Sequence, residues 1–383
     1  MTTRFEFPRP LEIQSAPQLR SDVRDFLSEE LGPNWKTCSR GGWTHFDIGF
    51  TRKLAGKGWI GMTWPKRFGG GERSPLERYI VIEELLAVNA PVGAHWTADR
   101  QVGPLLLLHG SDYQRDLILP KIAAGECYVA IGLSEPGVGS DLASVRARAR
   151  PVAGGYKVSG TKVWTTGAHL CHYIVALCRT DGTPDDRQSG LSQLLIDLAA
   201  PGIEIRPIID MTGSHSFNEI YFDDVFVPEE MLVGQRGNGW QQVTGEMGSE
   251  RSGPERFLSS FLLVEMLASE IRNNPSPDRL RALGRLVAHV ATIRSLSMSV
   301  AELIRQGKDP TVQGALVKDV GALLEQEIPH VAREIFAIEP APGSDRELES
   351  LTGSILLAAP SFSLRGGTRE ILRGIIARGL GVR

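Results

Sequence analysis

At 383 residues the chain is longer than one hydrophobic core usually serves, so two or three packed units are expected. Its 42% hydrophobic and 23% charged residues are the balance of an ordinary globular protein, and 42 Lys plus Arg against 45 Asp plus Glu argue against bulk binding to nucleic acid or an anionic membrane. Any anionic ligand must therefore be met by local groups. The N-terminal Met1-Thr-Thr-Arg-Phe-Glu-Phe-Pro-Arg-Pro10 has no apolar run after its charge, and no segment approaches the roughly 18 continuous apolar residues of a membrane span, which argues against secretion and membrane insertion. Cys38, Cys127, Cys171 and Cys178 lack any metal-ligand spacing, so reduced, mostly buried thiols, a cytoplasmic location and no metal site are expected.

From about residue 11 to 125 the apolar residues fall at helical spacing, predicting an N-terminal helical domain over 1–125. Within it, Ser74-Pro-Leu-Glu77 reads as a capping box opening a helix whose Ile80, Val81, Leu85 and Leu86 form a buried stripe. The Pro and Gly of Trp59-Ile-Gly-Met-Thr-Trp-Pro-Lys-Arg-Phe-Gly-Gly70 mark an ordered loop. The period then changes near Glu126. Short runs rich in β-branched or aromatic residues at 128–133, 145–152, 156–159, 173–179, 192–197, 203–209 and 218–226 predict a central antiparallel β-barrel or sandwich domain over 126–235. Helical spacing returns from Gly239, broken at Asn273-Asn-Pro-Ser-Pro277 and around Glu339-Pro-Ala-Pro-Gly343, which makes 236–383 a C-terminal helical domain. The fold class is α+β, mainly α. No Rossmann fingerprint, P-loop, HExxH or GxSxG is present.

Three polar segments stand out. Ala130-Ile-Gly-Leu-Ser-Glu-Pro-Gly-Val-Gly-Ser-Asp141 combines glycines for tight turns with hydrogen-bonding side chains. Lys162-Val-Trp-Thr-Thr-Gly167 follows, and Arg365-Gly-Gly-Thr-Arg-Glu-Ile-Leu-Arg373 lies near the C-terminus. In this order and separation the segments resemble the acyl-CoA dehydrogenase family of flavoenzymes, from about residue 10 to the end. The resemblance implies FAD as cofactor, an acyl-CoA substrate, a place in fatty-acid β-oxidation and a C-terminal four-helix bundle. Its chemistry is removal of a Cα proton by a carboxylate and of a Cβ hydride by flavin N5, giving a trans-2-enoyl-CoA. The matching flavin contacts are Ile131, Leu133, Ser134 and Ser140, then Trp164, Thr165 and Thr166, then Thr368 and Glu370. Ser140, Arg251 and Gly367 match substrate contacts. Standing alone, Trp164 would be read as a core residue of the β-domain.

The base departs from the pattern of the medium- and short-chain enzymes, whose Glu stands where this chain has Gly366. Isovaleryl and long-chain enzymes carry it instead on an earlier helix, after a Gly-Trp segment, and Gly239-Trp-Gln-Gln-Val-Thr-Gly-Glu-Met-Gly-Ser-Glu-Arg251 puts Glu250 on that position. An arbitrary Glu-Arg pair is a solvated face; the missing carboxylate at 366 reverses that reading, with Glu246 and Glu255 as nearby substitutes. Gly366 also removes bulk, which suits branched or ring-bearing acyl groups. A second departure concerns the ADP half of the flavin. The Arg-x-x-Phe-Gly and Gln-x-x-Gly-Gly segments of homotetrameric members are absent from 278–289 and 332–343, where Arg281 or Arg285 offers a charge for the pyrophosphate. Bacterial members built from two different subunits, including some acting on steroid side chains, show similar losses. A homo-oligomer, or a heterotetramer with a related chain, is expected, with electron-transferring flavoprotein as oxidant. Two alternatives stay open: a companion subunit completing another chain's site, and a flavin monooxygenase of the same fold. His95, His169 and His172 are assigned no role.

Overall fold

The computed structural model describes residues 5–35 and 41–382; Cys38 lies outside them. The residues gather into two compact units. A helical unit comprises Met1–Gly42, Ser74–Ala90 and Met247–Arg383, and a sheet unit comprises Trp43–Arg73 and Pro91–Glu246. In chain order α1 spans Ala16–Leu31, α2 Ile48–Gly56, α3 Pro75–Ala87, α4 Gly93–Thr97, α5 Gly103–His109 and α6 Asp112–Ala123. The strands are β1 Val129–Gly132, β2 Arg148–Val152, β3 Gly155–Thr166, β4 Tyr173–Arg179, β5 Leu191–Asp197, β6 Ile203–Ile208, β7 Phe217–Pro228 and β8 Leu232–Val233. Then follow α7 Gly239–Glu250, α8 Phe261–Asn273, α9 Pro277–Arg305, α10 Thr311–Phe336, α11 Glu347–Phe362 and α12 Arg369–Gly379.

In the helical unit α10 packs against α8, α9, α11 and α12, so a fifth helix joins the expected bundle. Helix α9 also packs on α3, and α3 on α1. The capping box forms: the Ser74 hydroxyl accepts from the Glu77 backbone N–H at 3.2 Å, and the Glu77 carboxylate accepts from that of Ser74 at 2.9 Å. Ile80, Val81, Leu85 and Leu86 are buried, and so are Glu83 and Glu84. Those two carboxylates stay inside because guanidinium groups meet them, Arg20 and Arg294 on Glu83, Arg20 and Arg24 on Glu84. Among the described residues α9 alone has the length and apolarity of a membrane span. Its Leu286, Ile293 and Val300 are buried within the protein.

The sheet unit holds one eight-stranded sheet with the path β6-β7-β3-β2-β4-β5-β8 and β1 joined to β4. Most pairings are antiparallel, but β1 and β2 run parallel to β4, so the sheet is mixed, and its path is open rather than closed into a barrel. The β2–β3 hairpin lies within the long connection that a parallel β1–β4 pair needs. Val158, Ile174, Ala176, Leu194, Ile220 and Phe222 form its core. In the Trp59–Gly70 loop Trp64 is buried, and a Cβ on Gly103 would lie 1.9 Å from its ring, so only glycine permits that approach.

Candidate active site

In the sheet unit Ile131 ends up partly buried on β1, with Leu133 and Ser134 just beyond the strand. Glu135 and Val138 then exchange backbone hydrogen bonds at 2.9 Å around Pro136-Gly137, where Gly137 has φ 81° as the third residue of such a turn requires. Lys162 holds this loop from β3. Its ammonium donates to the Leu133 carbonyl at 3.1 Å and to the Glu135 carboxylate at 2.8 Å, while Glu135 also accepts from the backbone N–H groups of Arg146 and Ala147. Both charged side chains are buried, and the full set of partners makes that burial tolerable. The Val163 N–H bonds the Ser134 carbonyl at 2.9 Å, so the loop is stitched to β3 one residue before Trp164. Ser140 is exposed, and next to it the Arg187 guanidinium, then the Ser144 hydroxyl, hold the Asp141 carboxyl down to about 2.

Strand β3 slips register against β7 between Lys162 and Thr165, and Trp164 sits in that slip with φ 60°. Few residues other than glycine adopt this backbone, at a cost of about 1–2 kcal/mol. The residue is 58% exposed, and its indole touches Phe217 edge-on at 6.0 Å. The core reading of Trp164 is therefore wrong: the bulge turns the ring outward. Thr165 is buried and its hydroxyl has no partner among the described residues, whereas Thr166 is partly buried. Asn218 fixes the strand beyond the bulge by donating to the Thr165 carbonyl at 3.0 Å. The Asn218 side-chain oxygen meets His169 Nδ1 at 3.1 Å and His215 Nε2 at 2.8 Å, and the two imidazoles stack at 3.8 Å. His95 meets Thr51, and His172 accepts from the Tyr128 N–H. An outward aromatic face, an unsatisfied hydroxyl and a polar loop pinned beside them suit a flat heteroaromatic ring with polar edges, and so fit a flavin.

In the helical unit α7 ends at Glu250, and Gly253-Pro254 turns the chain into a single 3-10 turn over Pro254–Arg256. Arg256 thereby folds back on the helix end. Its Nη2 lies 2.5 Å from Glu250 Oε1, its Nε donates to the Glu250 carbonyl at 3.2 Å, and the same Nε is 3.7 Å from Glu255 Oε1. Arg251 Nε donates to the Gly366 carbonyl at 2.9 Å. Gly366 and Gly367 have φ 67° and 101°, and a Cβ on Gly367 would lie 3.3 Å from Arg251 Nη2. Glu250, Arg251, Gly366 and Gly367 thus share one cluster. A Cβ on Gly366 would lie 3.1 Å from the Arg256 guanidinium, so that side chain stands beside the position where a residue at 366 would begin.

Burial, with Arg256 and then Arg365 nearby, pushes the Lys318 ammonium down to about 7, and its Nζ donates to the Phe362 carbonyl at 2.5 Å. Arg365 pairs with Glu325 at 2.8 Å. Thr368 is the N-cap residue of α12, and Glu370 is exposed, its carboxyl held below the usual range by its own backbone N–H and the Thr368 hydroxyl. Glu246, in the sheet unit, accepts from Gln193 at 3.3 Å. Arg281 and Arg285 are exposed and ion-paired, with Asp278 at 2.7 Å and Glu327 at 3.0 Å. Arg256 and the Lys162–Glu135 pair were not singled out from the sequence, and Glu255 was named there only as a substitute base. A second Glu-Arg pair five residues after the first, across a Gly-Pro break, was the available signal for Arg256.

Comparison with known proteins gives the following. Models of the acyl-CoA dehydrogenase N-terminal, middle and C-terminal domains match residues 14–126, 130–225 and 276–381. Glu250 falls between the second and third. The chain is 34% identical over 374 residues to the acyl-CoA dehydrogenase FadE29 of Mycobacterium tuberculosis, covering 94% of this chain and 95% of that protein. Among solved structures, the Tcur3481-Tcur3483 steroid ACAD superposes with a TM-score of 0.84 at 25% identity, over 99% of this chain and 100% of the other. The ChsE4-ChsE5 complex from Mycobacterium tuberculosis gives 0.84 at 25%, over 98% and 100%.

Proposed function

The chain belongs to the acyl-CoA dehydrogenase family, and on that premise we propose that it desaturates an acyl-CoA thioester between Cα and Cβ to the trans-2-enoyl-CoA, with Glu250 as base. FAD is the cofactor and oxidation the chemistry of the family. When bound, FAD supplies at N5 the acceptor for the β-hydride. Ile131, Leu133, Ser134, Ser140 and Trp164 to Thr166 would hold its ring, with Thr368 and Glu370 contributing. The carboxylate of Glu250 takes the α-proton, and Ser140, Arg251 and Gly367 serve the acyl-CoA. Electron-transferring flavoprotein would reoxidise the flavin.

The observation that carries this reading is the Trp164 bulge, an aromatic face turned outward against the backbone preference of its own residue. Glu250 is supported as base by its place after the Gly239-Trp240 segment and by the lack of a carboxylate at residue 366. The test is Glu250→Gln in the FAD-loaded protein, with flavin bleaching followed across a panel of acyl-CoAs. Retained flavin with bleaching slowed by orders of magnitude is expected; near-normal bleaching overturns the base.

A second reading is supported by the absent ADP-half segments at 278–289 and 332–343 and by two-protein assemblies of the same fold. In it the chain is one subunit of a heteromeric dehydrogenase. Absorbance near 450 nm in the protein purified alone separates the two: one FAD per chain favours the self-sufficient enzyme, and a colourless protein the companion.

A further inference from the structure

Glu250 is not held by its own helix alone. Its side chain is 13% exposed and that of Arg256 is 4% exposed, so this ion pair is formed largely out of water. A lone guanidinium there would oppose protonation of Glu250, because taking the α-proton would leave it an unpaired buried cation. The structure contains the remedy. Glu255 is also buried, lies 3.7 Å from Arg256 Nε, and folds over Gly253, where a Cβ would come within 2.1 Å of Glu255 Oε2. Arg256 therefore keeps a counter-ion whichever protonation state Glu250 is in. Its guanidinium also fills the space over Gly366.

We propose that Arg256, neutralised on its far side by Glu255, is the positioning residue for the base at 250, and that its seat over Gly366 is what confines the base carboxylate to 250 in this chain. The proposal rests on Glu250 being the base. In the step itself the Cα–H bond breaks, the proton goes to the Glu250 carboxylate and the electron pair stays on the substrate. Arg256 takes no part in these bond changes and acts through Glu250.

The experiment reads that proton transfer apart from oxidation. In a 3-thia-acyl-CoA sulfur replaces the β-carbon, so no hydride can leave, and deuterium uptake at Cα is followed by NMR with the full chain loaded with FAD. Arg256→Gln should slow uptake ten- to a hundredfold, as small misplacements of a reacting group do, at unchanged FAD content. Arg256→Lys should restore part of it, and Glu255→Gln should also slow it. Urea midpoints of Glu250→Gln, Arg256→Gln and the double variant should be non-additive. Normal uptake in Arg256→Gln, with uptake abolished in Glu250→Gln, overturns the proposal and leaves the base assignment standing. Normal uptake in Glu250→Gln overturns the base assignment itself. If Arg256→Gln does not fold, Glu255→Gln decides: slowed uptake at unchanged FAD content supports the proposal and unchanged uptake overturns it.

Discussion

Trp164→Ala and Trp164→Gly, prepared side by side, separate what the bulge costs from what it holds. With the residue 58% exposed, roughly 100 Å² of a large aromatic side chain is covered, and losing it costs the flavin-free protein at most about 2.5 kcal/mol at 25 cal/mol per Å². Glycine accepts φ 60° where alanine is strained, so Trp164→Gly should be the more stable flavin-free variant by about 1 kcal/mol. Stacking on a flat ring is worth about 1–3 kcal/mol, so both variants should bind FAD roughly 5- to 150-fold more weakly, and by similar factors. Urea unfolding of the flavin-free proteins gives the first comparison and fluorescence titration with FAD the second. FAD affinity within twofold of the parent would refute the flavin wall, and a glycine variant less stable than the alanine variant would refute the strained bulge.

Glu250→Gln should lower the rate of flavin reduction by about 10²–10⁴-fold while FAD content holds, measured by stopped-flow absorbance. Lys318 has its pKa lowered from 10.5 to about 7, so between those values the unfolded chain binds a proton that the native chain has released, and stability rises with pH. Lys318→Met should flatten that rise and be more stable than the parent below pH 7 by a few kcal/mol, each pKa unit being about 1.36 kcal/mol; parallel stability-pH curves would sink the assignment. In the heteromeric reading, the chain purified alone should hold well under one FAD and gain it when a related chain is added. A monomer by sedimentation that keeps one FAD and turns over acyl-CoA would refute that reading.

The order helices, strands, helices was legible because period and turn residues changed together near Glu126 and Gly239, and the Ser74 capping box was legible because two side chains three positions apart define it. The extent of β3 was not. Gly160 reads as a strand end, yet it sits at a register slip where a Cβ would come within 2.7 Å of Ala147, and the strand runs on to Thr166. The same limit hid the attitude of Trp164, since a tryptophan beside β-branched residues has one spelling whether it is buried or turned out. Strand β8 is two residues long and carries no periodicity to read. Parallel pairing of β1 with β4 escaped because register between distant strands is decided by packing. Among charges, sequence marked Glu250 through its resemblance but gave Arg256 no distinction from a solvated neighbour; only the fold-back at Gly253-Pro254 puts the two side chains together.

The helical unit draws on the first and last parts of the chain, and this has a consequence for how the protein is made. Helices α1 and α3 leave the ribosome early, but Arg294, which completes the guard around Glu83, is synthesised 211 residues after it. During that interval a buried carboxylate and the apolar residues destined for α9 lack their last partner. The sheet unit, whose final residue is Glu246, has its whole sequence available first. Vectorial synthesis thus delivers the second unit whole while the first is still waiting, so chains halted before α9 should be recognised by chaperones through the α1–α3 pair.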